Sequence, residues 1–262
     1  MTRIAKWFEG NHSKALLTFI TAGDPNLQVT VPAMHALVAG GADIIELGIP
    51  FSDPEAEGPT IQASSERALE NNVGLSDVLT VVAEFRETNQ STPVILMGYL
   101  NSVLAMTGFA EKAKAAGVDG LIMVNLPPEE AADIRTTLTA HDIDLIFLIA
   151  PTTTDERTEL ILKNAQGFVY YVSLKGITGA DLMQADDVAD QLEKLRSRSK
   201  LPVCVGFGIK DGATAGRLGG HADGVVVGSA LVSLMAEGGD VEQICHRLTS
   251  AVAQLRDGLD HK

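Results

Sequence analysis

The chain is expected to fold as one (β/α)8 TIM barrel spanning residues 1–262, and three observations carry that expectation. Short apolar runs rich in β-branched residues alternate with amphipathic helical stretches along the whole sequence, giving eight such pairs. A helix between successive strands imposes parallel connections, so the strands belong to one parallel sheet. The length of 262 residues suits a closed barrel, which commonly takes about 250 residues as a single domain. The main alternative, an open doubly wound sheet, requires a GxGxxG turn after the first strand. Here that turn reads Thr21-Ala22-Gly23-Asp24-Pro25.

Taken in order, residues 15–20 form the first strand and 29–39 have helical spacing. Residues 43–48 are the second strand, apolar except for Glu46 and closed by Pro50; helical patterns then cover 62–70 and 76–88. The third strand, 93–97, leads into Gly98-Tyr99-Leu100-Asn101, with a helix at 109–116. The fourth strand is 121–124, and Pro127-Pro128 marks the start of a helix at 129–140. A strand at 145–149 and a helix at 155–164 follow. The remaining strands are 168–172, 203–205 and 224–227, with helices at 186–196, 212–218, 231–236 and 241–255. No linker or low-complexity tract interrupts the pattern.

Twenty basic against 34 acidic residues give a formal charge of −14, which argues against nucleic acid or an anionic membrane as partner. A phosphate ligand would then rest on local backbone donors rather than on a basic field. No run of 18 apolar residues occurs, so no membrane span is expected. The first ten residues lack the apolar core of a signal peptide, and the expected location is cytoplasmic. Cys204 and Cys245 read as reduced packing residues.

The second strand carries the chemistry. A carboxylate inside an apolar strand is costly to bury alone, so Glu46 must be paired, protonated or aimed into a functional cavity. Residues 51–59 hold two prolines, a glycine and the acids Asp53, Glu55 and Glu57, forming an acidic loop at the strand's C-terminal end. Active sites of this barrel lie at that end of the strands. There the sequence also places Asp24, Tyr99, Asn101, Asn125, Tyr170, Ser173 and Thr178. Three glycine turns, Lys175-Gly-Ile-Thr-Gly179, Gly206-Phe207-Gly208 and Gly228-Ser229, let backbone N–H groups approach an anion. Read singly, each is as readily a tight turn. Phe19, Phe207 and Leu96 offer an apolar slot, or are core. The six histidines show no metal-ligand spacing, and Lys175 lies in a loop rather than closing a strand, against a Schiff-base enzyme. Carboxylate chemistry beside a phosphate pocket is what remains.

The stretch from Glu46-Leu-Gly-Ile-Pro-Phe-Ser-Asp-Pro54 to Gly58-Pro-Thr-Ile-Gln62 resembles the tryptophan synthase α subunit family, whose usual form is ELG-[IV]-P-[FY]-SDP-[LM]-ADGP-x-IQ. Further matches are Phe19-Ile-Thr-Ala-Gly-Asp-Pro25, Met97-Gly-Tyr-Leu-Asn101, Leu126-Pro-Pro-Glu-Glu130, Tyr170-Tyr-Val-Ser173, Gly176-Ile-Thr-Gly179, Gly206-Phe-Gly-Ile209 and Val227-Gly-Ser229. The resemblance implies a carbon–carbon lyase of L-tryptophan biosynthesis that cleaves indole-3-glycerol phosphate to indole and glyceraldehyde 3-phosphate. It implies catalysis by Glu46 and Glu57 and substrate binding by Phe19, Tyr170, Thr178, Gly179, Phe207, Gly208, Gly228 and Ser229. It also implies a β-subunit interface at Asp53, Pro54, Asn101 and Asn125 in an αββα heterotetramer. No cofactor or metal is expected in this chain, PLP belonging to the β subunit.

Three positions depart from the family form. Glu55 replaces an apolar residue, Glu57 a catalytic aspartate, and Asn125 the aspartate usual before Leu-Pro-Pro-Glu-Glu. The extra methylene of Glu57 moves its carboxylate by on the order of 1 Å, and such a displacement costs about 10²-fold in rate. Reduced turnover is therefore expected. An alternative is a catalytically weakened partner that activates the β subunit, and a third reading is another phosphate-binding barrel isomerase.

Overall fold

A computed structural model describes residues 1–10, 13–172, 185–206 and 208–261. The element order is α1 (Arg3–Gly10), β1 (Ala15–Thr21), α2 (Leu27–Ala39), β2 (Ile44–Gly48), α3 (Pro59–Glu70), α4 (Leu75–Thr88) and β3 (Val94–Gly98). Then come α5 (Leu100–Leu104), α6 (Phe109–Ala116), β4 (Gly120–Met123), α7 (Ala132–Thr139), β5 (Asp144–Ile149), α8 (Asp155–Asn164) and β6 (Val169–Val172). The chain closes with α9 (Ala185–Arg198), β7 (Val203–Gly206), α10 (Gly212–Gly219), β8 (Gly224–Val227), α11 (Ser229–Ala236) and α12 (Val241–Asp260). Strands β1 to β8 pair in sequence order, all parallel, and β8 returns to β1, so the sheet is a closed barrel.

Side chains alternate across each strand, and this parity builds two cores. Leu17, Ile44, Ile95, Ile122, Ile146, Phe168 and Val226 fill the barrel interior. Their neighbours Leu16, Ile45, Leu96, Leu121, Leu145, Val169 and Val225 face the helical shell. Leu96 is thus a correction: it packs outward, while Ile95 and Met97 on either side of it face inward.

Two helices were absent from the expected pattern. Helix α1 seals the N-terminal end of the barrel, with Ile4 fully buried among the interior residues and Trp7 and Phe8 packed against them. The ring of Phe8 lies 6.1 Å from that of Phe168. Helix α5 is one short turn after β3. The helix expected at 129–140 is a 3-10 turn, Pro128–Glu130, followed by α7.

The foot of the barrel repeats one device. Asp43, Asp119 and Asp223 each stand just before a strand and accept the backbone N–H of the neighbouring strand, from Leu16 at 2.8 Å, Val94 at 2.9 Å and Val203 at 2.9 Å. Each also pairs with arginine: Asp43 with Arg256, Asp119 with Arg86 and Arg3, Asp223 with Arg196. Asp119 and Arg86 are both buried, at 3% and 6% exposure, where an ion pair holds only if its remaining hydrogen bonds are met. Arg86 meets them by donating to the carbonyls of Gly117, Asn89 and Thr92. Among the described residues no helix is long and apolar enough to cross a membrane.

Candidate active site

Glu46 lies midway along β2, in register with Phe19 of β1 and Ile95 of β3. Strand parity points it into the barrel above Ile44. Its side chain is fully buried, and neither carboxylate oxygen has a hydrogen-bond partner among the described residues. Burial alone pushes its pKa from 4.5 up to about 8. A structural acid would be satisfied by its neighbours; this one is left open to a cavity.

That cavity, of about 190 Å³, opens at the C-terminal ends of the strands. Phe19, Glu46, Tyr170, Gly208, Gly228 and Ser229 line it, as the sequence expected of a site. Gly206, Ile61, Met97, Ile209, Lys210, Val226 and Ala230 complete the wall. Ser229 and Ala230 form the first turn of α11, whose leading N–H groups have no intrahelical partner and favour an anion. A larger hollow of about 890 Å³ runs along α8 and the end of α9. Its Arg157–Glu129 and Arg198–Glu159 pairs are surface ion pairs, and no buried ionisable group among the described residues faces it.

Tyr170 sits on β6 with its ring across Gly206 of β7. A Cβ at Gly206 would lie 2.4 Å from the Tyr170 hydroxyl, so only glycine leaves room for the phenol. Burial and the nearby Glu46 carboxylate raise the Tyr170 pKa well above its ordinary value. No hydrogen bond joins the two side chains.

Glu57 does not line the cavity; it is held in the acidic loop. The Tyr99 hydroxyl donates to Glu57 Oε2 and accepts from the Ala56 N–H at 3.0 Å, while Phe51 stacks on Tyr99 at 4.5 Å. Gln62 at the start of α3 donates to the Glu57 carbonyl at 2.7 Å. Burial raises the Glu57 pKa, the Tyr99 bond opposes that rise, and Glu55 adds to it. Asp24, grouped with the rim acids by sequence, does not line the cavity. It is fully buried and clasped bidentately by Arg67 at 2.7 and 2.9 Å, tying the β1 turn to α3.

Asp53 and Asn101 are exposed, as is Asn125, and Pro54 is half-buried. Asn125 accepts from the Leu100 N–H at 2.8 Å and donates to Asn101 at 3.2 Å, which binds the β3 and β4 loops into one rim. Ser173, Lys175, Thr178, Gly179 and Phe207 lie outside the described residues. Met97 and Val226 were missed, although strand parity would have found them. Lys210 was missed because a lysine two residues beyond Gly208 reads as loop surface.

The class so defined is a (β/α)8-barrel enzyme whose mouth pairs a buried acid with a glycine-lined anion cradle. The chain belongs to the tryptophan synthase alpha chain family, whose model matches residues 7–260. It is 56% identical to the tryptophan synthase alpha chain of Chromobacterium violaceum over 259 residues, 98% of each chain. It is 52% identical to that of Xanthomonas euvesicatoria pv. vesicatoria over 268 residues, covering each in full. Tryptophan synthase subunit alpha from Legionella pneumophila superposes with a TM-score of 0.92 at 42% identity, covering 100% of both chains. A chain of tryptophan synthase from M. tuberculosis superposes at 0.87 with 34% identity, covering 99% of this chain and 100% of that one.

Proposed function

We propose that the chain is a carbon–carbon lyase of tryptophan biosynthesis that cleaves indole-3-glycerol phosphate to indole and glyceraldehyde 3-phosphate. The observation that carries this reading is the unpartnered Glu46 carboxyl in the same cavity as Gly208, Gly228 and Ser229. The reaction needs a proton delivered to indole C3, a partner for the ring N–H as positive charge builds there, and a base for the side-chain hydroxyl. Glu46, protonated near neutrality, gives its proton to C3. It then takes the proton of the hydroxyl on the adjoining carbon as the bond between that carbon and C3 breaks. The indole departs, the hydroxyl carbon becomes the aldehyde, and Glu46 ends as it began.

Glu57 accepts from the ring N–H once the acidic loop closes over the substrate, with Tyr99 steering its carboxylate. Phe19 and Phe207 flank the indole, and Tyr170 orients Glu46 by packing. The phosphate rests on the α11 N-terminus at Gly228 and Ser229, with Gly208, Thr178 and Gly179 completing its cradle. The rim of Asp53, Pro54, Asn101 and Asn125 receives a β subunit in an αββα assembly, which carries the PLP. This chain uses no cofactor of its own and works in the cytoplasm. Full-length relatives at 52% and 56% identity bear the name tryptophan synthase alpha chain, which does not favour a catalytically weakened partner.

The test is indole release from indole-3-glycerol phosphate with and without a β subunit. Glu46→Gln, which keeps the shape and loses the proton, should lower kcat by about 10²–10⁴-fold. The wild-type kcat should fall as pH rises through about 8, where Glu46 loses its proton. A glutamine variant with wild-type turnover would remove Glu46 from the mechanism.

A further inference from the structure

We infer that Lys210 is a substrate-binding residue that supplies the cationic contact to the phosphate dianion, a role the backbone donors of the cradle do not fill. The inference rests on the lyase reading and names a specificity determinant of its phosphate subsite.

Three observations converge on this side chain. First, Lys210 lines the mouth cavity together with Gly208, Gly228 and Ser229, so it stands beside the N-terminus of α11. It is the only basic residue on that wall among the described residues. Second, it is exposed and makes no hydrogen bond or ion pair with any described residue. The adjacent acid does not claim it: the Asp211 carboxylate caps α10, accepting the Thr214 N–H at 2.8 Å. That bond holds the Asp211 carboxyl below its ordinary value.

Third, the surrounding charge makes a local cation matter. The chain carries −14, a field that repels a dianion approaching from solvent. Among the described residues that line the cavity the one carboxylic acid is Glu46, which burial keeps protonated near neutrality. With Glu46 neutral, the formal charge that the described residues place on the cavity wall is that of Lys210. A lysine suits the task, being a compact point charge on a flexible stem that can follow a phosphate entering and leaving. A helix N-terminus contributes partial charge only, equivalent to roughly half an elementary charge.

The experiment compares the full-length wild type with Lys210→Ala and Lys210→Arg, each checked for an unchanged melting temperature. Steady-state kinetics with indole-3-glycerol phosphate is paired with calorimetric binding of inorganic phosphate, which needs no turnover. Hydrogen bonds between charged groups are strong enough that Lys210→Ala should raise KM and weaken phosphate binding by about tenfold or more. Its kcat should stay within about twofold of wild type, since the contact is made equally in ground and transition states. Lys210→Arg should recover most of the loss, and the salt dependence of kcat/KM should flatten in the alanine variant alone. Unchanged KM and phosphate affinity in Lys210→Ala, beside an active wild type, overturns the inference and leaves the lyase reading standing. A wild type that neither turns over the substrate nor binds phosphate overturns both.

Discussion

Glu46 shows how one side chain can couple catalysis to folding. Its carboxyl titrates near 4.5 when unfolded and at about 8 in the barrel, so between those values the folded chain holds one proton more. Stability is therefore greatest below about pH 4.5 as far as this group is concerned, and is lost as pH rises, levelling off above about 8. Each pH unit inside the window is worth about 1.4 kcal/mol at most. Glu46→Gln removes that slope. Urea denaturation at pH 5 and pH 8.5 should find the variant gaining several kcal/mol on the wild type at the higher pH; parallel curves would contradict a protonated acid. Glu57 poses the opposite question, since its carboxylate is already engaged by Tyr99. Replacing Glu57 by Asp and Glu55 by Leu together should raise turnover of the isolated chain, by up to about 10²-fold if a misplacement on the order of 1 Å is the cause. An unchanged rate of indole release would count against that account.

At the scale of elements, the strands carry two separate programmes, one at each end. At the C-terminal ends, β7 stops on Gly206 so that the Tyr170 ring can cross it. Gly206→Ala should overpack this contact, costing about 1–3 kcal/mol in a denaturation experiment, and should lower kcat by displacing Tyr170 from Glu46. At the N-terminal ends, the aspartates before β2, β4 and β8 satisfy neighbouring N–H groups and draw in arginines. The pair most removed from water is Arg86 with Asp119, where burial lowers the arginine pKa to about 10 despite the attraction of Asp119. Arg86→Ala leaves Asp119 with Arg3 as its remaining arginine and the carbonyls of Gly117, Asn89 and Thr92 without this donor; it should cost about 3 kcal/mol by chemical denaturation, with kinetic constants of the surviving folded enzyme little changed. The same aspartate-before-strand pattern stands in the sequence three times. Singly each reads as loop polarity, and its meaning depends on which strand lies alongside.

For the whole molecule, the alternation of runs with helical stretches was enough to read an eight-stranded barrel, because each strand is long enough to show its apolar character locally. Glu46 was legible for the same reason: an acid inside an apolar run contradicts its surroundings. What escaped reading depended on tertiary placement. The apolar residues of α1, Ile4, Trp7 and Phe8, stand at helical spacing, but what they cover is settled only when a barrel exists for Ile4 to enter. Leu96 and Met97 differ only by parity, which register with the neighbouring strands decides. Lys210 gains meaning only from the α11 N-terminus brought beside it by the pairing of β7 with β8. The plug formed by α1 has one more consequence. With Ile4, Trp7 and Phe8 stoppering the far side, the doorway that the described residues leave is at the opposite end, so an apolar product leaves on the face where its parent molecule entered. Whatever docks over that doorway takes delivery, and whatever blocks it halts traffic in both directions.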